Sequence, residues 1–185
     1  MLTRLVAPSA VVTLAEAKDA LRIYHTRDDD FLTQSIAAAI EYLDGPSGVL
    51  GQLLGSQQWA WKTAWFTTPL RIPLGPVATV DSVKYLDTTG VEQTLSSAVY
   101  YLFQDARGPY LALVPGQSWP ATMGRDDAVT VTFTGGLSPI PAQIKSGILL
   151  LTSHLNQFRE EQVTEQTFPT GFGLFDLIAP YRRVF

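Results

Sequence analysis

Few side chains in this sequence are equipped for covalent or metal chemistry, and those few are scattered. The 185 residues include two histidines, His25 and His154, and no cysteine. A thiol nucleophile, a disulfide framework and a Cys-based zinc site are therefore excluded. His25 falls in a connection and His154 on a helix-patterned segment. Both read as surface or helix-packing residues rather than as members of a triad or a metal site. Asp28, Asp29 and Asp30 are clustered carboxylates of the kind calcium or magnesium takes. The calcium-loop pattern also needs alternating ligands, a central Gly and a distal Glu, and none follows here. Capping of the following helix is the better use for them. Gly55-Ser56 and Gly135-Gly136 lack the spacing and the Lys of a phosphate-binding loop, and read as domain-boundary hinges. The pattern assigns no catalytic residue, no metal ligand and no cofactor-binding residue, and the expectation is a non-enzymatic protein that needs no cofactor.

Two features remain. Trp59, Trp61, Trp65 and Trp119, with Tyr85, Tyr100, Tyr101 and Tyr110, could form a sugar- or base-stacking platform. Trp59, Trp61 and Trp65 share a strand face if one strand runs that far; the ordinary fate of such residues is a sheet core. Without interleaved basic residues a nucleic-acid platform is disfavoured. The second feature is the C-terminus. Leu174, Leu177 and Ile178 make a short amphipathic turn, Pro180 ends it, and Tyr181, Arg182, Arg183 and Phe185 set two cations beside an apolar end. Chain termini are usually polar and frayed. One this apolar has two uses, folding back onto its own domain or docking on another chain.

The elements that would position these residues divide the chain. Thr13 to Glu16 has the form of a capping box, and Leu14, Ala17 and Leu21 recur at helical spacing up to about Ile23. Leu32, Ile36, Ala39 and Leu43 predict a second helix that Gly45-Pro46 stops. From Ser56 the period changes to that of strands. Gln57–Phe66, Leu70–Leu74, Val80–Leu86, Val91–Leu95, Tyr100–Phe103, Tyr110–Val114 and the strictly alternating Val129–Thr134 give six or seven, mostly antiparallel by their short connections. Pro141 opens a third helix, with Ile144, Ile148, Leu151 and Leu155 in one stripe. The expected fold is α+β, a small helical bundle formed by both chain ends with an inserted antiparallel β domain. Residues 1–54 and 138–158 supply the bundle, 55–137 the insert, and 159–185 an acidic loop and a C-terminal tail.

A hydrophobic fraction of 46% and a charged fraction of 16% suit a globular protein that hides part of its surface against partners. The net charge of −4 provides no basic field of the kind nucleic-acid binders use. The start of the chain is too short and too interrupted by Pro8 for a signal segment, and no apolar run approaches membrane-spanning length. A soluble, intracellular protein is expected.

Taken in order, several short motifs resemble one known family. They are Leu14-x-Glu-Ala-Lys-x-x-Leu-Arg22, Phe31-Leu-x-x-x-Ile-Ala-Ala-Ala39 with Glu41-Tyr-Leu43, Leu70-Arg-Ile-Pro-Leu-Gly-Pro-Val77 and Ser82-Val-Lys-Tyr-Leu-Asp87. Gly90-Val-Glu-Gln-Thr-Leu95, Gly116-Gln-Ser-Trp-Pro120, Val129-Thr-Val-Thr-Phe-Thr-Gly-Gly136, Pro141-x-x-Ile-Lys-x-x-Ile-Leu-Leu-Leu151 and Leu177-Ile-Ala-Pro-Tyr-Arg182 follow. The chain resembles head–tail connector (adaptor, head-completion) proteins of tailed bacteriophages and gene transfer agents, in the gp6-like and phage conserved-protein gp8 branch with a β insertion. The resemblance covers nearly the whole chain; each motif is weak alone and their order is specific. It implies a structural virion protein made in the host cytoplasm. Such adaptors form a homo-oligomeric ring, usually of about twelve subunits, beneath the portal protein. The ring extends the DNA channel, which DNA traverses without sequence-specific binding, and it receives the stopper or tail-completion protein; no membrane is involved. The family's portal contact falls here on Leu174, Leu177, Ile178, Tyr181, Arg182, Arg183 and Phe185, in a tail expected to order only on the portal. Residues 159–173 depart from the family pattern. The rival from another class is a carbohydrate- or receptor-binding module using the aromatic face of the β domain.

Overall fold

A computed structural model describes residues 1–157 and 173–183; the expected acidic loop, apart from Gly173, and Phe185 lie outside the described residues. The chain is α+β, as expected, with helices and two antiparallel sheets. It divides into two compact units. One joins Met1–Ser9 to Gly55–Leu137, and the other joins Ala10–Leu54 to the described residues of 138–183. The first nine residues, expected with the helices, therefore belong to the β unit.

In the helical unit, α1 (Leu14–Leu21) starts as its sequence dictates. The Thr13 hydroxyl accepts from the Glu16 N–H at 3.2 Å, and the Thr13 N–H donates to Glu16 Oε2 at 2.8 Å. Arg22 ends the helix in the left-handed conformation (φ 56°). Asp29 and Asp30 lie in the first turn of α2 (Asp29–Leu43), where the helix dipole favours them as expected, but the expected side-chain cap is not made. Asp28 occupies the cap position and its carbonyl accepts from Leu32, but its side chain makes no cap bond. Asp29 instead takes Lys18 Nζ at 2.5 Å, and the same ammonium donates to the His25 carbonyl at 2.7 Å. One lysine thus ties α1, the connection and α2 together. Leu32, Ile36, Ala39 and Leu43 are all buried.

After α2 the chain makes a compact loop. Asp44, itself buried, accepts the Leu54 N–H at 2.7 Å, and Gly45 donates to the Gln52 carbonyl at 2.8 Å. These bonds turn Leu50, Leu53 and Leu54 inward, where they are fully buried. Helix α3 (Ala142–Gln157) packs on α2 and α1. Ile144 and Ile148 are buried as the stripe predicts, while Leu155 at its end is exposed. Glu16 of the α1 cap also accepts Lys145 Nζ of α3 at 3.0 Å. Among the described residues no helix is long and apolar enough to cross a membrane.

The β unit holds β1 (Leu2–Val6), β2 (Gln57–Thr63), β3 (Leu70–Arg71), β4 (Val77–Leu86), β5 (Glu92–Thr94), β6 (Tyr100–Asp105), β7 (Gly108–Leu113) and β8 (Val129–Gly135). Five form one sheet in the order β1-β2-β8-β4-β5, and three form another in the order β3-β7-β6. Strand β8 is central. Its Val129, Val131 and Phe133 are buried while the threonines between them face the other way, as its alternation requires. Phe133 stands opposite Trp59 on one side and Val80 on the other. Strand β1, which the sequence reading passed over, pairs antiparallel with β2. Where the chain enters and leaves this unit, Gly136 (φ 134°) passes so near Gly55 that a Cβ would lie 1.7 Å from the Gly55 carbonyl oxygen. The site read as a hinge is a close backbone crossing.

Three carboxyl groups are held well below their ordinary values. Glu16 is lowered to about 2, chiefly by the Thr13 N–H and then Lys145. Asp87 is lowered to about 2 by the Thr89 hydroxyl first, and Asp105 to about 2 by the Arg71 guanidinium first. A group whose folded pKa is depressed contributes stability above its unfolded value and loses it as pH falls through the folded value. The melting temperature is therefore expected to drop on acidification from 4.5, the ordinary Glu16 value, toward about 2. Glu16→Gln should lower the melting temperature at pH 7 and flatten its dependence over that window. An unaltered slope in scanning calorimetry of the variant would show that the cap does not titrate as described.

Candidate interaction surface

The C-terminal segment is seated on its own helical unit. Helix α4 (Leu174–Ile178) begins with the Gly173 N–H donating to Asp176 Oδ2 at 3.2 Å, and a single 3-10 turn, Ala179–Tyr181, follows. Ile178 is 1% exposed. The reason is Gly147, in the middle of α3: a Cβ there would lie 3.1 Å from Leu174 Cδ1 and 3.2 Å from Ile178 Cγ2. A bare backbone on α3 is what lets the two apolar side chains of α4 come down on it. Further along, the Tyr181 hydroxyl donates to Gln143 Oε1 at 2.7 Å, and Gln52 Nε2 donates to the Tyr181 carbonyl. The Arg183 N–H closes the segment on the Leu50 carbonyl at 2.9 Å. Of the two uses the residues allow, folding back onto the chain's own domain is the one seen in residues 173–183, which are an ordered part of the helical unit rather than the free tail the resemblance implied.

This arrangement divides the expected contact residues. Leu174 and Ile178 are engaged with α3, Leu177 and Tyr181 are half-buried, and Arg182 is exposed. Phe175, which the sequence reading did not select, is 61% exposed. Pattern alone does not mark it, because Phe175 is one residue from Leu174 but three before Ile178 and falls at the margin of the stripe. Gly147 was legible in principle, as a glycine inside an apolar helix marks a close approach.

The other candidates stay apart. His25 and His154 are both exposed, and Asp28 Oδ2 lies 3.8 Å from His25 Nε2. Among the described residues no group of three or more His, Asp and Glu is arranged to hold a metal ion. The three tryptophans do not make one platform, because β2 ends at Thr63 and Trp65 lies beyond it. Trp59 is buried, its Nε1 donating to Gln57 Oε1 at 2.9 Å. Trp119 stacks on Phe66 with ring centroids 4.8 Å apart.

A polar cleft of about 120 Å³ opens on the larger sheet, lined by Lys62, Lys84, Glu92, Arg125, Asp127 and Thr130 among others. Lys62 and Lys84 flank Thr130 in register. Lys84 pairs with Glu92 at 2.8 Å, and Arg125 grips Asp127 with two bonds of 2.5 and 2.7 Å. Arg125 thereby lowers the Asp127 pKa and Asp127 raises that of Arg125. Lys62 also stands 3.9 Å from Asp127, so three cations face two carboxylates and one positive charge is left over, and the lining holds no histidine to act as a base near neutral pH.

The seating of α4 is open to test. Gly147→Val adds bulk where even a Cβ would press on Leu174 and Ile178 at 3.1 and 3.2 Å, and overpacking of this kind costs about 1–3 kcal/mol. The Arg183 amide is expected to exchange with deuterium about five- to a hundredfold faster in the variant, following that cost. Equal exchange rates would mean that α4 does not depend on Gly147.

A chain from the neck of an empty gene transfer agent (GTA) particle, computed with C6 symmetry, matches with a TM-score of 0.79 and 25% identity, over 100% of this chain and 96% of that one. A chain of the virion of a native GTA particle matches with a TM-score of 0.77 and 26% identity over the same shares. A chain of the native GTA neck computed with C12 symmetry gives 0.72 and 26%, again over 100% and 96%. No protein-family model and no curated protein sequence matches. The likeness runs through both units and the C-terminal segment, so this chain has, end to end, the fold of chains found in the necks of GTA particles.

Proposed function

We propose that this chain is a structural, non-enzymatic protein of the neck of a phage or gene transfer agent particle. More specifically, it is the head–tail connector adaptor, a ring beneath the portal that extends the DNA channel and receives the stopper. The observation that carries this is the full-length likeness to GTA neck chains, 100% of one chain against 96% of the other. Necks computed with C6 and C12 symmetry support a ring of the same order here.

The portal contact is proposed to lie on the C-terminal segment, on Leu174, Leu177, Ile178, Tyr181, Arg182, Arg183 and Phe185. Within it the roles differ. Leu174 and Ile178 hold the segment on α3, while Arg182, with Phe175 added, offers a cation and a ring outward. Arg and aromatic anchors dominate many interfaces. A segment seated in advance also loses little conformational freedom on docking. The net charge of −4 suits a channel component along which DNA slides without being held.

The test is to mix the protein with the portal protein of the same genome and examine the product by negative-stain electron microscopy and mass measurement. A ring of added density at the narrow end of the portal is expected. Arg182→Glu, exposed and remote from the core, should weaken the association by at least about tenfold, the scale of an interface anchor. A folded protein that shows no association would count against the adaptor role and turn attention to the aromatic residues of the β unit.

A further inference from the structure

Four strands end the two sheets, β1 and β5 in the larger and β3 and β6 in the smaller. Three of them are blunted. Strand β1 carries a bulge between Arg4 and Val6. Strand β5 has three residues, Glu92, Gln93 and Thr94, all exposed and polar. Strand β3 has two residues, with Pro73 close behind. Bulges, short length, charge and proline are the means by which sheet edges avoid joining other chains. Strand β6 has none of them. It pairs with β7 over six residues without a register shift, and its one charge, Asp105, sits at the turn and is taken by Arg71.

Register decides which of its peptide groups face outward. The Val114 N–H donates to the Val99 carbonyl, and bonded positions alternate along an antiparallel pair. Tyr101, Phe103 and Asp105 therefore bond to β7, while Tyr100, Leu102 and Gln104 direct N–H and C=O away from it. Pro109, opposite Gln104, agrees, because it has no N–H to give at that position. No described strand lies beyond β6 to pair with Leu102 and Gln104.

The side chains beside this edge are aromatic. Arg71, Tyr110 and Phe103 stand in one cross-strand row, with Tyr101 two residues along. Tyr101 is 53% and Phe103 48% exposed. Ring centroids are 6.0 Å apart between Tyr101 and Phe103 and 5.8 Å between Phe103 and Tyr110. The Arg71 guanidinium lies 5.0 Å over the Tyr110 ring, held there by two bonds to Asp105 of 3.0 and 2.8 Å.

We infer that the β6 edge is a docking site for an extended segment of another protein, which joins the small sheet as an added strand. The open peptide groups dictate the occupant. Donors and acceptors repeating every second residue are matched by an extended backbone and not by a helix or a sugar ring. The aromatic row sets its side chains, which are uncharged and apolar at alternate positions where they lie over Tyr101 and Phe103. Self-pairing of two β6 edges would be two-fold and would close at two copies. That does not suit a ring, and the chain's other described edges, β1, β3 and β5, are blunted against head-to-tail pairing with β6; the choice of a different chain over a second copy rests on these and on the adaptor reading.

The probe is a synthetic peptide, acetyl-Thr-Val-Thr-Phe-Thr-Val-amide, titrated into the full chain while amide exchange is followed by NMR. Protection of the Leu102 and Gln104 amides is expected on saturation. Gln104→Pro removes an outward N–H without touching a β6–β7 bond, and should weaken binding about tenfold, as expected for one lost backbone bond. Phe103→Ala keeps the ladder and should weaken it about threefold through the lost side-chain pair. Unprotected amides at millimolar peptide, or equal binding by Gln104→Pro, would overturn the inference. So would protection that rises with protein concentration alone, since the occupant would then be a second copy. No readout involves the portal, so failure here leaves the ring experiment undisturbed.

Discussion

The arrangement of this chain depends on one close approach. Gly55, where the chain enters the β unit, and Gly136, where it leaves, are so near that no Cβ fits between Gly136 and the Gly55 carbonyl. With the two ends of the insert held together, α2 and α3 can pack although the whole β unit separates them in sequence. A neighbouring constraint acts at Gly135, where a Cβ would lie 2.2 Å from the Pro76 carbonyl oxygen. Any side chain at either position would have to force strands apart, and burial of Phe133 on the central strand opposes that movement.

Much of the fold was legible because its causes are local. The Thr13–Glu16 cap, the spacing of Leu32, Ile36, Ala39 and Leu43, and the alternation of Val129–Thr134 each sit within a few residues. What escaped depends on partners far away in the chain. Strand β1 exists because Trp59 and Trp61 stand across from it, and nothing in Leu2–Val6 alone announces that pairing. The loop after α2 looked like a plain stop, yet the Asp44 carboxylate and the Leu54 N–H make it part of the core.

The candidate surface was half legible for the same reason. The apolar character of Leu174, Leu177 and Ile178 showed that the terminus is used. Its seating on the helical unit depends on Gly147, Gln143, Gln52 and Leu50, none of which adjoins it in sequence. Exposure then picked out Phe175, which binary patterning treats as one more apolar residue. In the β unit the aromatic residues likewise separated into Trp59 in the core and Tyr101 and Phe103 at the surface, according to their place in the register.

The seated C-terminal segment also bears on the timing of assembly. Because residues 173–183 already hold their hydrogen bonds to Gln143, Gln52 and Leu50, joining a partner through them involves no folding event. In the proposed adaptor, encounter frequency and orientation would then govern how fast subunits add, and the rate would follow subunit concentration rather than an internal clock. Such a component can accumulate in its working shape and wait for its partner to be ready.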